Sequence, residues 1–147
     1  MIWYKGLFSF KGRLNRQGFW IGIVSVLLWL FFFANVFPIQ QNIEQSQIIL
    51  LLSVLGLAVW VCLAVVIKRL HDRGRSGWGA FMLILPILCY ISSPQDDSFL
   101  AWALSRLLPL FIITLLLLDL GIFKGQTQAN VYGEKGVSIS FNNKDLT

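Results

Sequence analysis

The sequence predicts an all-α membrane protein, a bundle of four transmembrane helices with both termini in the cytoplasm. Three observations predict it. Four apolar stretches divide the chain, each near the ~20 residues that cross about 30 Å of hydrocarbon at 1.5 Å per residue. Only 13% of the 147 residues are charged against 56% hydrophobic, and mean hydropathy is +0.71. A soluble domain carries about 25% charged residues, enough to cover a small globule. The cations also fall on one side: four before the first stretch, four in the second connection and three in the tail, with Arg106 alone elsewhere. The positive-inside rule makes that side cytoplasmic. At this length the chain is one domain, 1–147.

Residues 1–17 mix Trp3, Phe8 and Phe10 with Lys5, Lys11, Arg13 and Arg16 and contain no acid. That composition suits a segment lying at a headgroup surface, or a positive tail that only sets topology. Gly6 and Gly12 argue against one continuous helix. The first span, 18–37, is uncharged and begins with the interfacial anchor Trp20 beside Phe19. A signal peptide would have a shorter apolar core and a small-residue cleavage site. Asn35 to Pro38 follow instead, so the segment is expected to stay. Gly18 and Gly22 form a G-x-x-x-G at the membrane rim, a candidate for helix pairing.

Pro38–Gln47 is a polar outer loop, and 48–67 is the second span. After a basic connection, Gly77 to Ser93 is a shorter third span. Pro86 interrupts it and is expected to kink it. Pro94 to Ser98 is a tight acidic outer turn. The fourth span, 100–123, carries Arg106, Pro109 and Asp119. From Lys124 to Thr147 a Gly-, Asn- and Gln-rich tail reads as an exposed cytoplasmic segment with little packing of its own.

Basic clusters also mark nucleic-acid binders. Here the cations flank apolar runs, so the expected partners are membrane lipids with anionic headgroups, and not nucleic acid. A homo-oligomer or another membrane protein is a further possible partner. Cys62 and Cys89 lie inside apolar runs, where cysteine behaves as a small hydrophobe. No metal-ligand spacing occurs and no cofactor is implied.

The connection Lys68-Arg69-Leu70-His71-Asp72-Arg73-Gly74-Arg75-Ser76 concentrates the polar chemistry. It has three readings: it only holds the connection inside; it recognises an anion; or His71 and Asp72 form a catalytic pair. For the second, Ser76 can cap the third span, whose free N–H groups then face anions beside Arg73 and Arg75. The third is weakest. Neighbours on a helix point about 100° apart, and no nucleophile motif accompanies them. No catalytic residue is assigned.

Three motifs together resemble the bacterial inner-membrane family called domain of unknown function 805 (DUF805). They are F-x-G-R-x-x-R-x-x-F-W at Phe10 to Trp20, K-R-L-H-D-x-G-x-S-G-W at Lys68 to Trp78, and N-x-Y-G at Asn130 to Gly133. The sequence departs from the family at Gly79, where an aromatic is usual, and in lacking prolines around the third motif. The resemblance implies a small polytopic inner-membrane protein and no established activity.

The expected function is therefore non-enzymatic: a scaffold or lipid-interacting protein whose cytoplasmic face is tied by the connection. The alternatives are a subunit of an oligomeric transporter or channel and, third, an enzyme on lipids. Two clusters of like charge at one face need an anion between them. Asp72 is expected to bond Arg13 or Arg16, unless a phosphate does so. Asp119, at the negative end of the last helix and within membrane depth, is expected to pair with a connection arginine. Arg106 is expected to reach water or Asp96 and Asp97. Trp20 and Trp78 are the interfacial anchors.

Overall fold

The computed structural model describes residues 3–37 and 45–139, and every regular element among them is helical. In order they are α1 (Trp3–Phe8), α2 (Arg16–Val36), α3 (Gln45–Asp72), α4 (Gly77–Ile91) and α5 (Phe99–Gly121). Most of the expected outer loop at 38–47 lies outside the described residues, as do residues 1, 2 and 140–147.

Among the described residues three helices, α2, α3 and α5, are long and apolar enough to cross a membrane. The expected third span departs from this. It is a shorter helix, and its first part, Gly77–Leu83, is wound as a 3-10 helix. Gly77 and Gly79 let this part lie close on α3, since a Cβ on either would be 3.1–3.2 Å from Ile67 or Leu70. Pro86 falls in the first turn of the α-helical part, Ile84–Ile91, where its missing N–H costs no bond. It stands just past the change from 3-10 to α winding at Leu83–Ile84. Ser76 caps the 3-10 start through the Trp78 N–H, and Asn15 caps α2 through the Gly18 N–H.

Asp72 and its neighbours differ from expectation too. At 28 residues α3 is about 42 Å long, more than a bilayer core. Lys68 to Asp72 are therefore its last turns, and the connection shrinks to Arg73–Ser76. Gly74, at φ 71, ends α3, and the Arg75 N–H reaches back to the Leu70 carbonyl at 2.9 Å. That is the left-handed reversal which closes many helix C-termini.

In α5 a π turn occupies Ala103–Leu107, with the Leu108 N–H bonded to the Ala103 carbonyl. Pro109 accounts for it: the ring has no N–H for the Ser105 carbonyl and crowds it, so the helix widens by one residue.

The buried core lies at one end of the bundle. Leu14, Phe19, Val61, Val65, Val66, Leu70, Ala80, Leu120 and Ile139 form it. Gly22 brings α2 against Val65 of α3, so the G-x-x-x-G serves packing within the chain. Beyond Gly22 no residue of α2 is buried, and its outer turns show Leu27, Leu28, Phe31 and Phe32. In water such a surface would be a liability; facing lipid, it is matched to its solvent.

The tail contradicts its composition. Residues 124–139 fold back over the same end, where Ile139 is buried and Leu14 bridges to Val137.

Candidate functional site

The buried end of the bundle holds three cations and one carboxylate: Arg13, Lys68, Arg69 and Asp72. Burying a charge is costly unless it is paired and hydrogen-bonded, so each partner matters.

Asp72 sits between two guanidinium groups. Arg13 approaches one carboxylate oxygen at 3.2 Å and Arg69 bonds the other. Of the two arginines expected to reach it, Arg13 does so and Arg16 does not. Gly125 and Gly136 flank the carboxylate so closely that a Cβ on either would collide with it. The tail backbone thus closes the site because those two positions carry no side chain.

The remaining donors go to carbonyls at helix ends. A helix leaves its last four carbonyls without partners in the helix. At the end of α5 side chains take the carbonyls of residues 119–123 in succession. Arg73 bonds the Asp119 carbonyl at 2.9 Å, Arg69 the Leu120 carbonyl, Trp20 Gly121 at 3.3 Å, Arg16 Ile122 at 3.1 Å and Arg69 Phe123. Three arginines thus face the negative end of the α5 dipole. Lys68 acts likewise on α1, with Nζ donating to the Lys5 and Gly6 carbonyls, while Trp60 donates to Phe8. The end of α3 is closed by backbone: Leu14 N–H on Lys68 O, and Gln126 N–H on Asp72 O at 2.8 Å. Arg13 then gathers the tail by donating to the carbonyls of Gln126, Gln128 and Gly133. No buried side-chain nitrogen or oxygen among the described residues is left without a partner.

Asp119 forms a second, more open centre. Arg73 and Arg75 hold its two carboxylate oxygens at 3.1 and 2.8 Å, and Arg73 also lies over the Phe123 ring. His71 points elsewhere than Asp72: its ring stacks on Tyr132 with centroids 3.9 Å apart, and Nδ1 lies 3.3 Å from the Gly12 carbonyl. Asp72 is occupied by arginines, so the two do not form an acid–base pair. Among the described residues no three His, Cys, Asp or Glu side chains gather as a metal site.

Comparison with known proteins now bears on these residues. The chain matches the family described as "Protein of unknown function (DUF805)" over residues 7–134. It belongs to the DUF805 family. Relatives include "Uncharacterized protein YiiR" of Escherichia coli (strain K12), 36% identical over 92% of this chain and 90% of that protein. Another is "Inner membrane protein YhaH" of the same strain, 26% identical over 67% of this chain and 93% of that protein. No solved structure matches.

The three DUF805 motifs meet in this one cluster. The first supplies Arg13, Arg16 and Trp20; the second Lys68, Arg69, Asp72, Arg73 and Arg75. The third, Asn130 to Gly133, is a turn built around an Asn side chain. Asn130 Oδ1 accepts the Tyr132 N–H at 2.9 Å, and its amide donates to the His71 carbonyl at 2.9 Å. Gly133 at φ 129 completes the turn. Ser76 stands aside as the α4 cap, and Trp78 is exposed and stacks on Phe81. Arg106 lies at the opposite end of the DUF805 bundle, and among the described residues it forms no ion pair with Asp96 or Asp97. Sequence reasoning missed Gln126, Gly125 and Gly136. Their signal was weak, because glycine and glutamine in a polar tail also describe a loop.

Proposed function

We propose that this chain is a non-enzymatic inner-membrane scaffold that spans four times with its termini in the cytoplasm and binds anionic lipid headgroups at its basic end. One observation carries the reading. The carboxylates of that end, Asp72 and Asp119, are already taken by arginines of the chain itself. Lys5, Lys11, Arg16, Arg75, Lys124 and Lys135 remain exposed around it, and Glu134 is the one described acid there that no arginine holds. The buried arginines clamp helix ends, and Arg75 and Arg16 are engaged by Asp119 and the Ile122 carbonyl; the exposed lysines are the groups left to meet phosphate. Exposed Tyr4, Phe8, Trp78 and Phe123 lie among them, as at a headgroup level. A juxtamembrane cation near an anionic surface contributes about 1 kcal/mol.

The fourth crossing draws support from the 3-10 winding of α4. Seven residues at about 2.0 Å and eight at 1.5 Å make a rod of roughly 26 Å, close to a hydrocarbon core. An inner-membrane location draws support from the relative YhaH, an inner membrane protein by name.

Quenching of tryptophan fluorescence by brominated lipids tests the lipid reading. Brominated phosphatidylglycerol is expected to displace phosphatidylcholine preferentially around the protein. Replacing Lys11, Lys124 and Lys135 together by Gln should remove most of that preference. Equal quenching by the two lipids in the unmodified protein would exclude the reading.

A further inference from the structure

At the end opposite the basic cluster, α4, the Pro94–Ser98 turn and the start of α5 enclose a cleft of about 530 Å³. That size lies within the roughly 300–1,000 Å³ of small-ligand sites. Its lining joins charges of both signs: Asp96 and Asp97 from the turn, Arg106 from the π turn of α5. Among the described residues the side chains of Arg106 and Asp97 have no ion-pair partner, although they line one space. Asp96 is fixed by the Ser98 hydroxyl at 2.7 Å, a bond that also holds its carboxyl below the usual carboxylate range. Tyr90 and Trp102 complete the wall.

We propose that this cleft binds an ammonium–phosphate zwitterion, the chemistry of a phosphoethanolamine headgroup. A simple anion entering here meets two carboxylates, and a simple cation meets Arg106. A ligand carrying both charges satisfies both. The Arg106 fork matches phosphate oxygens bidentately. The turn carboxylates accept from a primary ammonium, which has three N–H donors. A quaternary ammonium has none, so ethanolamine is preferred to choline. The position fits as well: Tyr90 and Trp102 stand where a span ends, the level at which headgroups and aromatic side chains meet. The π turn set by Pro109 places Arg106 in this wall, and such turns often accompany functional sites. None of these residues belongs to the basic end, so the inference is independent of the anionic-lipid reading.

The test is native mass spectrometry of the full chain in detergent. Phosphatidylethanolamine, phosphatidylcholine and phosphatidylglycerol of equal chain length are titrated in turn, with soluble phosphoethanolamine as competitor. Phosphatidylethanolamine is expected to bind roughly tenfold more tightly than phosphatidylcholine, the scale of a charge-assisted hydrogen bond. Asp97→Asn should abolish that difference, Arg106→Gln should weaken the binding of both lipids, and phosphatidylglycerol binding, carried by the other face, should stay unchanged. Arg106→Lys and Asp97→Glu keep the charges and should recover part of each loss, which separates binding from folding. Competition by soluble phosphoethanolamine identifies a free solute as ligand; phosphatidylethanolamine binding without competition identifies the lipid. Equal binding of the ethanolamine and choline lipids, a preference that survives Asp97→Asn, or binding of both lipids unchanged in Arg106→Gln overturns the proposal.

Discussion

Asp72 illustrates how one carboxylate controls several cations. Its removal leaves Arg13 and Arg69 buried with carbonyls alone, and breaking a buried pair from one side typically costs about 3–5 kcal/mol. Asp72→Asn is therefore expected to lower stability by about 3 kcal/mol. Asp119 is different, because its side chain is 29% exposed and Arg75 is 54% exposed, so water screens the pair. Asp119→Asn should cost about 1 kcal/mol or less. Arg106→Gln should cost least, since its side chain has no ion-pair partner among the described residues. Thermal unfolding in one detergent checks the order Asp72, Asp119, Arg106; a reversal of the first two would show that the buried cluster does not hold the fold. The glycines make a separate prediction. Gly136→Ala and Gly125→Ala each place a methyl group against the Asp72 carboxylate. Each is expected to destabilise by about 1–3 kcal/mol, as overpacking does, while Gly56→Ala, which meets nothing within 4 Å, should be tolerated in the same assay.

At the scale of elements, apolar runs set the helices to within a few residues: α2 covers Arg16–Val36 and α5 Phe99–Gly121, where spans at 18–37 and 100–123 were expected. The pairing of Asp72 with an N-terminal arginine was also legible, because two like-charged clusters at one face require a carboxylate or an anion between them. The carbonyls of residues 119–123 were not. Every residue has a carbonyl, so a sequence does not mark which ones a helix end will leave open. Nor was the packed tail legible. Ile139 is its one buried hydrophobic residue among the described residues, and Gly125 and Gly136 act by having no side chain. The π turn of α5 was not legible either, although Pro109 accounts for it. Pro109→Ala restores a donor for the Ser105 carbonyl, and the turn is expected to tighten to regular α-helix. Hydrogen exchange at Leu108 and its neighbours should then slow; unchanged exchange would mean that Pro109 is not the cause.

For the whole molecule, charge divides the two ends. One collects the arginine clusters and the tail; the other collects Asp96, Asp97 and Arg106. Topology is tested with single cysteines in a protein lacking Cys62 and Cys89. Gln95→Cys is expected to react with an impermeant thiol reagent in intact cells, and Lys135→Cys only after the cells are opened. Labelling of position 135 from outside would invert the proposed orientation and place the basic face away from the cytoplasm.

The bonds from Arg13 to the tail also impose an order in time. Its carbonyl partners Gln126, Gln128 and Gly133 follow it by 113, 115 and 120 residues. At roughly 5–20 residues added per second, a ribosome needs about 6–23 s to supply the first of them. During that interval Asp72 is the side-chain partner of Arg13 and Arg69 already made, and the tail carbonyls that Arg13 later holds are missing. A nascent chain released before Gln126 would keep every long apolar helix and still lack its latch. Such a fragment would keep the ion pairs at Asp72 and Asp119 and lack only the tail that Arg13 fastens over them, which leaves that end open to proteases.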